Sequence, residues 1–122
     1  MWPLLSEFDE SDPYELISFG DWSPMIRVLR TLKGKPYALT LRAFTSVDAF
    51  IITPAEEYPD HKQHDGVVVR YHPPKCLFAI GYACWGPRGK ETSELVAERD
   101  AVERIDALVE RLLIADGDKA NS

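Results

Sequence analysis

The stretch Lys75–Trp85, KCLFAIGYACW, constrains this chain more than any other, because it is the one long run whose two alternating sides are both apolar. Successive side chains of a strand point to opposite sides of a sheet. Cys76, Phe78, Ile80, Tyr82 and Cys84 therefore share one side, and Leu77, Ala79, Gly81, Ala83 and Trp85 the other. The pattern predicts a central β-strand. The side with Ala79, Gly81 and Ala83 is flat enough for another backbone to come close, and the amphipathic stretch from Ser93 to Leu113 is its expected occupant.

The rest of the chain supplies partners for that strand. Asp12-Pro13-Tyr14-Glu15 is a helix start, with a capping acceptor, proline at the first helical position and a glutamate three residues after the cap; the short helix ends at Gly20. Ser23-Pro24 opens a second helix with the apolar stripe Met25, Ile26, Val28, Leu29 and Leu32, closed by Gly34. From Tyr37 to Phe44 the period becomes two, which predicts a strand; Ala49–Thr53 and Gly66–His72 are two more. Pro73-Pro74-Lys75 joins the last of these to the central strand. After a turn at Gly86-Pro87-Arg88-Gly89, a long helix is expected with Thr92 or Ser93 as its cap. Leu95, Val102, Ile105, Leu108, Val109 and Leu112 fall on its inner side, with Asp100 and Arg104 four apart on the wet one.

The predicted fold class is α+β: two short N-terminal helices, a four-stranded mainly antiparallel sheet, and one long C-terminal helix packed on one sheet face. Residues 1–115 are expected to form a single domain and residues 116–122 a disordered tail.

Composition narrows the function classes. A chain of 122 residues, 45% hydrophobic and 28% charged, is long enough for one core without staples. Its formal charge of -6 disfavours nucleic acid, whose affinity rests on lysine and arginine, and suits a basic partner better. No run approaches the length of a membrane span, and the amino end lacks a basic n-region, so the expectation is a soluble, cytoplasmic protein with no membrane partner. Cys76 and Cys84 would stand about 26 Å apart in one straight strand, too far to bridge, and two free thiols suit a reducing compartment.

If the loop of the hairpin is Pro73-Pro74-Lys75, His72 lies opposite Cys76, Arg70 opposite Phe78 and Val68 opposite Ile80. One face then collects Val67, Val69, Tyr71, Leu77, Ala79, Gly81 and Ala83 under the long helix. The other mixes Arg70, and Arg42 from the first strand, with Phe78, Ile80 and Tyr82. Arginine beside aromatic rings is enriched at interface centres. The alternatives are that the N-terminal helices cover this face and its arginines pair with Glu7, Asp9 or Asp12, or that it forms a ligand cleft.

Catalytic signatures are weak. His61, His64, Asp65, His72 and Cys76 form the one cluster with metal-ligand chemistry, but an HxxH spacing in a polar loop is common, and neither a metal nor a cofactor is expected. A His72–Cys76 pair across the hairpin would activate the thiol but lacks a third group and an oxyanion site. Gly86 to Thr92 ahead of a helix suggests anion binding, though a P-loop would need glycine at Cys84 and a hydroxyl at Glu91. The expected function is thus a small acidic non-catalytic protein–protein interaction module, inhibitor/immunity-like or chaperone-like by class analogy alone. It would bind a protein partner, or itself as a homodimer, through the face of Arg42, Arg70, Phe78 and Tyr82, with His72 and Cys76 as further candidate binding residues. The alternative is a small-molecule binding domain or small enzyme with a cleft near the 55–65 loop and His72/Cys76.

Overall fold

Alternation does build an antiparallel sheet, but one of five strands. The computed structural model describes residues 2–8, 22–46, 49–55, 65–84 and 90–120. Strands β1 (Arg42–Ser46), β2 (Ala49–Thr53), β3 (Gly66–His72), β4 (Leu77–Cys84) and β5 (Lys90–Ala97) lie in sequence order, each antiparallel to its neighbour. Helix α1 (Ser23–Lys33) precedes the sheet and α2 (Glu98–Ala120) follows it. The α+β class and the C-terminal helix on one sheet face stand as expected. The helix predicted from Asp12 to Gly20 lies outside the described residues.

Helix α1 follows its sequence signals. Proline occupies its first turn, where a missing N–H costs nothing, and Met25, Ile26, Val28, Leu29 and Leu32 are all buried. Beyond it, Pro36–Leu39 forms a single 3-10 turn where alternation predicts a strand, so β1 begins only at Arg42. Proline starts that turn, and the Tyr37 carbonyl accepts the N–H groups of Thr40 and Leu41. Leu39, expected to face inward, is 68% exposed as a result.

The fifth strand replaces the first turns of the predicted helix. Helical propensity favours SELVAER, but tertiary pairing overrides it: Lys90–Ala97 pairs with β4 along its whole length, and α2 starts only at Glu98. Gly81 makes this possible. A β-carbon there would run into the backbone of Thr92 and Ser93, so the close approach read from the Ala-Gly-Ala run is real, but its occupant is a strand. At the other end, α2 continues to Ala120, through the segment whose composition predicts a disordered tail. The expected Asp100–Arg104 pair gives way to Arg104 on Glu94 of β5, at 3.3 Å, and Asp100 near Arg99, at 3.7 Å.

The β3–β4 link overturns the predicted register. His72 pairs with Leu77, Arg70 with Ala79 and Val68 with Gly81, because the link runs Pro73 to Cys76, one residue longer than expected. Cys76 closes it in the left-handed region, at φ 52°. A slip of one residue exchanges the faces of one strand relative to the other. Phe78, Ile80 and Tyr82 therefore join Val67, Val69 and Tyr71 against the helices, and all six are buried. Ala101, Ile105, Leu108, Val109 and Leu112 of α2 close that core, each large side chain contributing about 1.5–3 kcal/mol gross. Ala79 and Ala83 face away from it. Bulk explains the choice: rings and branched chains fill the space under two helices, and alanines would leave it void.

Residues 2–8 lie along the outer edge of β1. Leu4 bridges to Arg42, the Ala43 N–H donates to the Pro3 carbonyl at 3.1 Å, and the Leu5 N–H donates to the Leu41 carbonyl at 2.8 Å. Leu5 and Phe8 enter the core, the latter edge-on to Phe50 with ring centroids 4.9 Å apart. Among the described residues, no helix is long and apolar enough to cross a membrane.

Candidate functional site

With the helices on one side, the reverse side of the sheet is where this protein departs from an ordinary core. The register arranges it in rows across the strands. One row runs Phe44, Ile51, Val68, Gly81, Ser93; the next runs Ala49, Arg70, Ala79, Leu95; and His72, Leu77 and Ala97 follow.

The two halves of this face differ. Ala49, Ile51, Val68 and Ala83 form a small second cluster, at most 4% exposed, with Phe44 packed against it. Trp2 stacks on Phe44, ring centroids 3.9 Å apart and planes 16° from parallel. Arg42 Nη1 donates to the Trp2 carbonyl at 2.6 Å, so this arginine secures the amino-terminal segment. The other half is open. Arg70, His72, Leu77, Ala79 and Ala97 are partly exposed, and Leu95, at 56%, stands out in solvent.

The six residues singled out from sequence do not form one surface. Arg42 and Arg70 do share the reverse face, with His72 next along β3 from Arg70 and Arg42 at the opposite end of the sheet. Phe78 and Tyr82 are on the opposite side, buried at 0% and 2%. Cys76 sits exposed in the link, its thiol 3.6 Å from the Pro73 carbonyl, and no longer pairs with His72. Leu77, Ala79, Leu95 and Ala97 take the places assigned to the rings. Counting bulk on the two sides of β4, and giving the larger side to the core, would have found Leu77 and Ala79; Leu95 and Ala97 lie in a stretch that reads as helix.

Polar groups on the helix side are committed to structure. The Tyr82 hydroxyl donates to Asp65 Oδ2 at 2.7 Å, and the Arg111 guanidinium lies 4.0 Å above its ring. Burial, and then the bond to and charge of Asp65, push this phenol well above its usual range, with Arg111 pulling the other way. Tyr37 donates to Asp106 Oδ1 at 2.7 Å while Lys35 reaches Oδ2 at 3.0 Å; burial first, then Asp106, raise the Tyr37 phenol too. Arg27 grips Glu98 with two bonds of 2.7 and 2.8 Å, tying α1 to α2 and holding the Glu98 carboxyl below its usual range. The groove above that pair, about 420 Å³, is lined by Arg27, Val28, Thr31, Glu98, Arg99 and Val102.

The described residues do not bring together the groups with candidate chemistry. Residues 56–64, with His61 and His64, lie outside the described residues; their flanks, Ala55 and Asp65, are held near Thr53, whose Oγ1 accepts the Ala55 N–H at 3.1 Å. That is the Gly66 end of β3. His72 and Cys76 are at the other end, about 20 Å away at 3.3 Å per residue. Among the described residues no three histidine, cysteine or carboxylate groups gather as a metal site. Residues 85–89, which hold most of the proposed anion-binding turn, are outside the described set, and Thr92 belongs to a strand rather than a helix start.

Compared with protein-family models, curated proteins and solved structures, the chain matches none of them.

Proposed function

We propose that this is a small acidic, non-catalytic interaction module that docks a protein on the open half of its sheet. The surface is the apolar set Leu77, Ala79, Leu95 and Ala97, flanked by Arg70 and His72. The observation that carries the reading is Leu95: a large aliphatic side chain, 56% exposed, next to two alanines and a leucine on the sheet face opposite the helices. An aliphatic centre with a cationic rim is the composition of many protein interfaces. The charge of -6 argues against a nucleic acid as the partner.

Capture with purified, tagged protein tests it. Partner recovery is expected from the wild type and from Leu39→Glu, which alters an exposed leucine elsewhere, and is expected to be lost with Leu95→Glu. Equal recovery from all three sinks the reading.

A further inference from the structure

From the outer edge of β5 we infer that the occupant of this surface is a second copy of the same chain, joined β5 to β5 across a two-fold axis at Leu95. The inference rests on the docking surface proposed above and names its partner.

The two edges of the sheet are not alike. Residues 2–5 lie along β1 and satisfy part of its backbone, whereas among the described residues no strand pairs with the outer side of β5. An uncovered edge presents a row of N–H and C=O groups ready for another strand. Thr92, Ser93, Glu94 and Leu95 are all exposed, although alternation sends two of them to each side.

The side chains specify what fits. In an antiparallel pair centred on Leu95, that residue meets its own copy, Ser93 meets Ala97, and Glu94 meets Val96. No like charges face each other, and Glu94 already has Arg104 at 3.3 Å. On the open face the row Arg70, Ala79, Leu95 then continues into Leu95, Ala79 and Arg70 of the second copy, burying the leucines between small residues and leaving the arginines at the rim. Moving the centre to Glu94 sets two carboxylates against each other. Moving it to Ser93 sets Glu91 against Leu95. The Leu95 register is the one that unites apolar burial with charge compatibility.

The test is mass in solution together with covalent trapping. Light scattering of the full chain over a concentration series should show a species of twice 13.8 kDa. Leu95→Glu should raise the concentration for half-dimerisation about a hundredfold, since two buried leucines are lost and two carboxylates meet. In a background with Cys76→Ser and Cys84→Ser, Leu95→Cys should oxidise to a covalent dimer, because directly opposed residues bring their β-carbons within bridging range, whereas Leu39→Cys should not. Trapping stands as evidence even if the glutamate variant misfolds. A wild type that stays monomeric, and a Leu95→Cys that cross-links no better than Leu39→Cys, overturn the second copy as occupant. If capture of a different protein is still lost with Leu95→Glu in that case, the docking surface survives and only its occupant changes. Persistence of the dimer in a folded Leu95→Glu protein also overturns the inference.

Discussion

Gly81 of β4 lies directly against Thr92 of β5, with no room for a β-carbon between its backbone and the Thr92 carbonyl. The contact is backbone to backbone, so no rotamer change relieves it. Gly81→Ala is expected to cost about 2 kcal/mol or more, through overpacking and loss of β5 pairing, in chemical denaturation. Ala79→Gly, two residue pairs away, should cost only about 1 kcal/mol, as a backbone-entropy effect. Equal costs would mean that β5 does not lie against Gly81.

Two phenols report the core directly. Tyr37 and Tyr82 donate to Asp106 and Asp65, and burial raises both above the ordinary tyrosine range. A group whose folded value is raised loses its contribution as pH climbs past its unfolded value, here about 10. Thermal stability should therefore fall from about pH 10 upward, more steeply than in a Tyr37→Phe/Tyr82→Phe double variant. In an ultraviolet titration of the native protein, at least two of its five tyrosines should ionise only with unfolding.

Asp106 and Glu98 both join α2 to neighbouring elements, yet they should differ in weight. Asp106 satisfies a half-buried tyrosine hydroxyl as well as Lys35, whereas Glu98 meets an Arg27 that is 58% exposed. Asp106→Ala is expected to lower stability by about 1–3 kcal/mol, and Glu98→Gln by under about 1 kcal/mol. The Glu98 term is present above the unfolded carboxylate range and fades as pH falls below it, since its folded value is lowered. Raising salt should erase the Glu98 effect and leave most of the Asp106 one.

The Trp2–Phe44 stack should act as a unit. Trp2→Ala and Phe44→Ala are each expected to destabilise, and a double-mutant cycle should show coupling of about 0.5–1.5 kcal/mol. Simple additivity would mean that the amino-terminal segment does not lie over the sheet in solution.

Local patterns in the sequence proved reliable wherever one element decides its own fate. The stripe Met25 to Leu32 makes α1 whatever it packs on, and the valines of β3 and the alternation of β2 need no partner to be recognised. That Arg42 and Arg70 share a face depends instead on the β1–β2–β3 register. What escaped depends on contacts between elements. Ser93 to Ala97 has helical composition and becomes a strand only because Gly81 accepts its backbone. The β3–β4 register turned on whether Cys76 belongs to the strand or to the link, a matter of one left-handed residue. That residue sent Phe78 and Tyr82 inward and brought Ala79 to the candidate surface, where β5 pairing sets Leu95 beside it.

Four residues join His72 to Leu77, and the parity of that number decides which way every later side chain faces. Substitutions at Pro74 or Lys75, both exposed, disturb only a tip. Deleting either one is a lesion of another order: it would carry Tyr82 toward water and Ala83 toward Ile105, turning the downstream half of the molecule inside out, while removal of two together would preserve sidedness. Tolerance at this tip is therefore a matter of counting rather than chemistry, and a library of loop lengths would separate the two.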